Sequence, residues 1–313
     1  MNKMKKKILI TGASGMVGKS LIKILKKKKY KILSPSSKKL DLLNQNSIET
    51  FLKKNRPFFV IHLAGYIGGI GASINEPIDF LQENILMGIN LIKSSHKLKI
   101  KNFINIGSSC IYPPNQKKPI KENQLLSGKI EKTNEGYAIA KIASIKLCEY
   151  IAANYKYNYF TLIPSNIYGP YDKFDEYKGH VVGSLIKKIF LAKKNKKKIV
   201  EIWGSGKVKR EIIYVDDVSN AIVKFMFNKK LINKKIYWLN IGFGKDETIN
   251  VIAKKIARIL KYEDKFKNNL KKPDGVKSKL MNVELSKKYG WKAEVSLDEG
   301  LKKTISWFIK SQN

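Results

Sequence analysis

The chain has 313 residues, of which 43% are hydrophobic, and a formal charge of +37 at neutral pH. It is long enough to bury one large core, or a large and a small one, and we expect two lobes. A charge of this size is typical of nucleic-acid binders, yet 59 of the 62 basic residues are lysine. Nucleic-acid readers depend on arginine for bidentate and stacking contacts, so we predict no nucleic-acid partner. A small anionic substrate is compatible with the charge.

The cysteine content and the N-terminal residues bear on the compartment. Only Cys110 and Cys148 occur, which is too few for a disulfide framework and fits a reducing cytosol. The basic opening residues 1–7 are followed by an apolar stretch that stops at Thr11, too short for a signal peptide. No window reaches the roughly 18 apolar residues of a membrane span. We therefore predict a cytoplasmic protein without membrane attachment.

The first predicted strand, residues 8–10, runs directly into the glycine-rich turn TGASGMVG (11–18) and then into a helical pattern. Glycines let the backbone turn tightly and approach a pyrophosphate, whose charge lies at the helix N-terminus. The pattern predicts a dinucleotide site, with contacts from Gly12, Ser14, Gly15, Met16, Val17 and Gly18.

The second predicted strand, 31–33, ends at Ser34 rather than at an acidic residue that would bind a ribose 2′-hydroxyl. Hydroxyl and ammonium groups follow it, and these suit a 2′-phosphate, so NADP is favoured over NAD. We assign the phosphate to Ser37 and Lys38, and the adenine to Asp41 and Leu42.

Three further strands are predicted at 58–63, 103–106 and 160–163, with helical patterns at 77–99 and 137–153 between them. This alternation predicts an α/β fold, a Rossmann doubly wound parallel sheet. Ligands of such sheets bind at the carboxyl ends of the strands. The cofactor contacts expected there are Ala64, Gly65, Gly107, Pro164, Asn166 and Ile167.

The sequence pattern changes after about residue 171, where predicted loops and lysine-rich segments become common. The elements expected there are a basic helix at 185–198, helices from 214, at 248–260 and at 298–310, and a lysine- and asparagine-rich loop at 261–280. We predict that residues 1–170 form the NADP-binding domain, to which 212–242 return, and that 171–211 and 243–313 form a smaller mixed α/β substrate lobe.

Tyr137 and Lys141 stand four residues apart at the start of a run that we expect to be an amphipathic helix, so they share one helix face. A phenol with a pKa of about 10 donates its proton poorly at neutral pH unless a cation stabilises its anion. At about 4 Å and an effective dielectric near 20, the lysine would supply roughly 4 kcal/mol, enough to bring the tyrosine near pH 7. Such a tyrosine could protonate a carbonyl oxygen as hydride arrives. The alternative is a surface pair on an ordinary helix.

The glycine turn, Ser108, Tyr137 and Lys141 occur in an order that resembles the extended short-chain dehydrogenase/reductase superfamily. Further segments are similar to the GDP-L-fucose synthase family, which epimerises GDP-4-keto-6-deoxy-D-mannose at C3 and C5 and reduces it at C4. These segments are GGIGASINEP (68–77), GSSCIYPP (107–114), TNEGYAIAKIASIKLCE (133–149), PSNIYGPYDKF (164–174), GHVV (179–182), WGSGKVKRE (203–211) and KPDG (272–275).

The resemblance implies a catalytic role for five residues. Ser108 would hydrogen-bond the carbonyl oxygen, Tyr137 would protonate it, and Lys141 would also bind the nicotinamide ribose. Cys110 and His180 match the family's base and acid for the epimerisation, and His180 is also expected at the cofactor. Read alone, Cys110 would be a small core residue.

The resemblance also implies a GDP-4-keto-6-deoxy sugar as substrate, an NADPH cofactor, and a homodimer formed through the helices at 77–99 and 137–153. The expected substrate contacts are Ser109, Lys188, Trp203, Arg210 and Asp274. Without the resemblance, an ordinary loop ion pair would explain Arg210, and a turn would explain Asp274.

Other readings stay open at this stage. A 4-reductase of a related GDP-4-keto hexose or heptose would share these motifs, although the presence of both Cys110 and His180 favours an epimerase as well. A 4,6-dehydratase would need a carboxylate just after Ser108, where the chain has Cys110-Ile111-Tyr112. A nucleotide-sensing protein would have no use for Ser108, Tyr137 and Lys141 together. No metal site is predicted, since no Cys/His cluster has ligand spacing.

Overall fold

The computed structural model describes residues 6–28, 30–176, 179–227, 229–272 and 274–312. Residues 1–5 of the basic opening and Pro273 of the segment 272–275 lie outside the described residues. Within those ranges the strands are β1 (Lys7–Thr11), β2 (Lys31–Leu33), β3 (Phe59–His62), β4 (Asn102–Ile106), β5 (Asn158–Pro164), β6 (Asn166–Tyr168), β7 (Ile199–Trp203), β8 (Lys209–Tyr214), β9 (Trp238–Ile241), β10 (Asp246–Thr248) and β11 (Lys265–Asn269). The helices are α1 (Met16–Leu25), α2 (Gln45–Asn55), α3 (Ile70–Asn75), α4 (Pro77–Lys97), α5 (Glu135–Tyr155), α6 (Val181–Lys194), α7 (Val215–Phe225), α8 (Lys229–Asn233), α9 (Ile249–Leu260), α10 (Glu284–Lys288) and α11 (Leu297–Lys310).

Six strands form the large sheet in the order β2-β1-β3-β4-β5-β9, and every neighbouring pair is parallel. The apolar runs of β1, β3 and β5 are buried, as expected for strands covered on both faces. Helix α1 packs against α7, whereas α4 packs against α2 and α5. The predicted doubly wound parallel sheet is confirmed. The strand order reverses between β1 and β3, which is the topological switch point where such folds bind ligands.

The segment that was expected to return to the first domain contributes β9, which pairs with β5 in the large sheet, and α7, which packs against α1. A second core, which includes Tyr168, Ile186, Ile256 and Phe308, is built around α6, α9 and α11. It lies against a three-stranded sheet in the order β10-β8-β6 and a parallel pair of β7 and β11.

The prediction of a loop over 261–280 is wrong for β11. This strand contains a single hydrophobic residue, Phe266, among lysines and asparagines, so its sequence carries no strand signal. Its stability comes from pairing with β7, in a register that sets Phe266 opposite Val200.

The prediction that α5 is amphipathic is also wrong. Its buried residues include Ala138, Ala140, Lys141 and Ile142, which together cover more than one face of the helix. The reason is that α5 packs against both α4 and strand β5. Burial of Lys141 is a consequence of this packing.

No helix in the described ranges combines the length and the apolarity needed to cross a bilayer. Both cysteines are free and buried. The described residues also assemble no group of three His, Cys, Asp or Glu side chains that could hold a metal ion.

Candidate active site

A cleft of about 420 Å³ lies over the carboxyl ends of β1, β3, β4 and β5. Its far side is formed by the start of α6, by β8 and by the segment around 276–279. It gathers most of the residues predicted from the sequence: Gly12, Gly15, Met16, Val17, Gly18, Ala64, Gly65, Gly107, Ser108, Ser109, Cys110, Tyr137, Lys141, Pro164, Asn166, Ile167, His180 and Arg210.

The glycine turn is packed so closely that side chains are excluded from it. Gly12 has a φ of 67°, and a Cβ atom there would lie 2.6 Å from the backbone nitrogen of Ala64. A Cβ atom on Gly18 would lie 2.5 Å from the carbonyl oxygen of Gly12. Helix α1 starts after Gly15 without a side-chain cap. Its first backbone N–H groups therefore have no side-chain cap at a wall of the cleft, an arrangement that fits a pyrophosphate.

Ser108, Tyr137 and Lys141 come together at one edge of the large sheet. Ser108 follows β4, and its Oγ accepts a hydrogen bond from the backbone N–H of Cys110 at 3.4 Å. Lys141 Nζ donates to the carbonyl oxygen of Ile106 at 3.0 Å and lies 5.5 Å from the centre of the Tyr137 ring. The lysine is thus anchored to the end of β4 beside the phenol.

The expected lowering of the Tyr137 pKa is wrong for this structure. Burial raises the pKa of Tyr137 above its usual value, and the nearby Cys110 adds to the effect. Burial also lowers the pKa of Lys141 to about 8. The physical reason is that desolvation penalises the phenolate and the ammonium alike. At neutral pH the phenol keeps its proton, which is the form required of a proton donor, and the lysine stays cationic.

Cys110 and His180 also lie on the cleft. Burial raises the pKa of the Cys110 thiol, although a hydrogen bond from Ser108 and the charges of Lys279 and Lys141 oppose this rise. Partial desolvation by the surrounding protein and then the charge of Lys173 lower the pKa of His180, although the residue is exposed to solvent. At neutral pH, Cys110 is therefore a protonated thiol and His180 a neutral imidazole. The family pattern implies a thiolate base and an imidazolium acid, and these differ from the resting forms by transfer of one proton.

An ion pair in the cleft wall was missed by sequence reasoning. Lys279 Nζ and Glu131 Oε2 are 2.8 Å apart, and their side chains are only 10% and 12% exposed. Arg210 lies on the same wall and donates to the carbonyl oxygen of Val276 at 2.6 Å. The paired residues come from segments far apart in the chain, and neither lies in a local pattern that signals a site.

Asp172 was also missed. Its Oδ1 accepts from the backbone N–H of Lys173 at 2.8 Å, while its buried Oδ2 has no hydrogen-bond partner in the part of the chain that the structure describes. Burial raises the pKa of this carboxyl group to about 7. The residue lies in the segment 164–174, so its position beside the cleft follows from that motif.

The predicted contacts for the adenosine end lie outside the walls of this cleft. Ser14 is exposed in the glycine turn, and Ser37 and Lys38 are exposed in the turn after β2. The Asp41 carboxylate accepts from the backbone N–H of residue 43 at 2.9 Å, and Leu42 belongs to the main core. The role of Ser14 in the glycine turn of the dinucleotide site stays a prediction, as do the roles of the other four residues at the 2′-phosphate and the adenine.

Three predicted substrate contacts also lie outside the cleft walls. The ring of Trp203 has Lys188 Nζ at 4.7 Å and Lys272 Nζ at 5.2 Å from its centre. Asp274 Oδ1 accepts from the backbone N–H and from Oγ of Ser205, at 2.6 and 3.0 Å. Asp274 therefore fixes the turn that follows the tryptophan, and a substrate role for these residues stays a prediction.

The glycine turn lies at the switch point and leads into a helix without a side-chain cap. A serine, a tyrosine and a lysine meet beside the neighbouring strand end. Together these features define a Rossmann enzyme that acts on a carbonyl or carbinol group with a dinucleotide. The chain belongs to the NAD dependent epimerase/dehydratase family, whose model matches residues 8–242.

Individual relatives extend over the whole chain. It is 44% identical to a GDP-L-colitose synthase of Yersinia pseudotuberculosis, covering 98% of this chain and 99% of that protein. It is 38% identical to a GDP-L-fucose synthase of Azorhizobium caulinodans, covering 97% and 96%. Among solved structures it is similar to the GDP-mannoheptose C4 reductase MlghC of Campylobacter jejuni with NADP bound. The TM-score is 0.88 and the identity 30%, over 99% of this chain and 100% of that one.

Proposed function

We propose that the protein converts GDP-4-keto-6-deoxy-D-mannose to GDP-L-fucose, by epimerisation at C3 and C5 followed by NADPH-dependent reduction at C4. The observation that carries this proposal is the convergence of Ser108, Tyr137 and Lys141 with Cys110 and His180 on one cleft. Reduction alone requires the first three, whereas an epimerase also requires an acid and a base.

For the reduction, Tyr137 is the proton donor and Ser108 is the hydrogen-bond donor to the C4 oxygen. Burial raises the pKa of Tyr137, so the phenol is protonated at neutral pH but gives up its proton less readily than an exposed tyrosine. NADPH, when bound, supplies the hydride. Lys141, fixed on the carbonyl of Ile106, places a positive charge beside the phenol that stabilises the negative charge left when the proton departs.

For the epimerisation, protons next to the ketone are removed from C3 and C5 and returned to the opposite face. Cys110 and His180 are the groups for these transfers, because a thiol and an imidazole both exchange protons near neutral pH. The ammonium groups of Lys279 and Lys141 act on Cys110 in the direction that favours its thiolate.

NADP is the proposed cofactor. The uncapped start of α1 suits its pyrophosphate, and the exposed Ser37 and Lys38 suit its 2′-phosphate. The relative MlghC has NADP bound. Residues 1–170 with 212–242 are proposed as the cofactor domain, and 171–211 with 243–313 as the lobe for the GDP-sugar.

A homodimer through α4 and α5 is proposed as the assembly, in a cytoplasmic setting. Leu86 on α4 and Ile139, Tyr150 and Tyr155 on α5 are exposed, and apolar side chains grouped on neighbouring helices are typical of an interface. The two free thiols fit a reducing compartment.

A second candidate is a 4-reductase that acts on a related GDP-4-keto hexose or heptose, with or without epimerisation. It is supported by the relatives, which include a GDP-L-colitose synthase and a GDP-mannoheptose C4 reductase.

The test is incubation of the protein with NADPH and GDP-4-keto-6-deoxy-D-mannose in D₂O, with NMR of the product. GDP-L-fucose that carries deuterium at C3 and C5 supports the first proposal. NADPH oxidation without deuterium in the product favours the second candidate. If no NADPH is oxidised with the hexose or with related GDP-4-keto sugars, both are wrong. Tyr137→Phe is the control, since it should stop reduction in a folded protein.

A further inference from the structure

Ser73 is a polar residue in the cleft wall to which nothing above assigns a role. It lies on α3, lines the cleft and is only 5% exposed. Its Oγ is buried and has no hydrogen-bond partner among the residues that the structure describes. A buried hydroxyl without a partner destabilises the folded state, and such groups are rare in native proteins. A partner that arrives with a ligand would remove this cost.

The surroundings of Ser73 connect it to the reaction centre. Helix α3 packs against the 3-10 helix Lys132–Asn134, directly before the helix that carries Tyr137. The rings of Phe80 and Tyr137 meet edge to face at 6.3 Å. A Cβ atom on Gly68 would lie 2.8 Å from Ala72 and 3.3 Å from Phe80. The wall that holds Ser73 is thus packed onto the wall that holds the proton donor.

Neighbouring polar side chains already have partners within the protein. Tyr66 donates its hydroxyl hydrogen to Glu76 at 2.6 Å, and Asn84 bonds both polar backbone groups of Tyr66 at 3.0 Å. Glu131 is engaged by Lys279. Ser73 lines the cleft as well, but its buried hydroxyl has no partner among the residues that the structure describes.

We propose that Ser73 recognises a ring hydroxyl of the bound 4-keto sugar, the one at C2 or C3, and so selects sugars that carry this group. The proposal rests on the proposed function, because it takes the C4 carbonyl to lie at Ser108 and Tyr137. In a 6-deoxy-4-keto sugar, C6 carries no hydroxyl and the C5 oxygen is part of the ring. The free hydroxyls nearest the carbonyl are therefore those at C3 and then C2. A serine hydroxyl both donates and accepts, so it pairs with a sugar hydroxyl in either sense.

The experiment compares Ser73→Ala with the matched control Ser94→Ala. Ser94 lies on α4, is fully buried, and also has an Oγ without a partner in the described residues, but it does not line the cleft. Each protein is assayed with the GDP-4-keto sugar that the wild type reduces and with its 2-deoxy and 3-deoxy analogues. The Kd for NADPH is measured alongside.

We expect Ser73→Ala to lower kcat/KM for the full substrate about tenfold, as for loss of one hydrogen bond, with the NADPH Kd changed less than twofold. One analogue should be a poor substrate for the wild type and for Ser94→Ala, and Ser73→Ala should no longer discriminate against it. The analogue against which Ser73→Ala no longer discriminates lacks the hydroxyl that Ser73 recognises.

The proposal is overturned if each deoxy analogue loses as much kcat/KM, relative to the full substrate, in Ser73→Ala as in the wild type. It is also overturned if Ser73→Ala lowers kcat/KM for the full substrate no more than Ser94→Ala does. A change confined to the NADPH Kd would assign Ser73 to the cofactor instead and likewise overturn it. If the wild type neither binds nor reduces any GDP-4-keto sugar, the proposed function and this inference fail together.

Discussion

Substituting Gly18 by alanine should have two opposite effects on the glycine turn: a gain in helix propensity and a loss in packing. Gly18 lies in α1, where alanine is favoured over glycine by about 1 kcal/mol. The added carbon would however lie 2.5 Å from the carbonyl oxygen of Gly12 and 2.6 Å from the Cα of Ala13. These are backbone atoms, so no side-chain rotation relieves the overlap. Restoring an ordinary contact of about 3.4 Å requires the turn and the helix to separate by roughly 0.9 Å.

A displacement of about 1 Å in a binding element costs up to a hundredfold in function, or about 2.7 kcal/mol, so packing should prevail. We expect Gly18→Ala to weaken NADPH binding 10- to 100-fold, as measured by titration of NADPH fluorescence. Gly88→Ala on α4 is the matched control, because its new carbon would meet Ser144 Oγ, a side-chain atom that can rotate away. Its NADPH affinity should stay within twofold of the wild type. Equal affinities of Gly18→Ala and the wild type would refute the reasoning.

Three further predictions concern charged or reactive groups. Cys110→Ala should lower the rate of deuterium entry at C3 and C5 at least about 100-fold by NMR, since a proton-transfer group is removed; undiminished entry would exclude Cys110 as base. Lys279→Met should move the pH midpoint of Cys110 alkylation by iodoacetamide upward, because a cation that favours the thiolate is lost; an unchanged midpoint would show that the two groups do not interact. Burial raises the pKa of Glu211 to about 7 from an ordinary 4.5, so the folded state binds this proton more tightly than the unfolded state. Its stabilising contribution is therefore complete below pH 4.5 and lost as the pH rises through 7. Over this range the free energy of unfolding in urea should fall by about 3 kcal/mol more in the wild type than in Glu211→Gln. Parallel pH curves for the two proteins would contradict this assignment.

The five predicted strands of the large sheet follow from the sequence because each is a short apolar run with a turn or a helix on either side. Residues 8–10 and 103–106 are of this kind, and burial on both faces needs no alternation. The sixth strand, β9, was not predicted. Strand β11 could not be found in this way. Its five residues contain one hydrophobic side chain, and the backbone pairing with β7 that stabilises it is a tertiary contact.

The residues of the candidate site likewise fall into those that the sequence indicates and those that it does not. Residues next to a strand end or a glycine turn, such as Ser108 and Gly12, carry a local signal because the topology itself brings strand ends together. Glu131 and Lys279 meet only through tertiary packing, so no local spacing indicates them. The direction of the Tyr137 pKa shift was mispredicted because spacing alone does not give burial, and burial dominates this pKa.

Two adjacent residues of strand β8 have different roles. Arg210 points to the cleft, whereas Glu211 is fully buried and accepts hydrogen bonds from the backbone N–H groups of Gly244 and Met281, both at 2.8 Å. Successive side chains of a strand face opposite sides, so one residue lines the cleft while the next ties three segments of the chain together. A substitution at the cleft-facing position can therefore change the lining of the cleft without disturbing the hydrogen bonds that hold the strand in place.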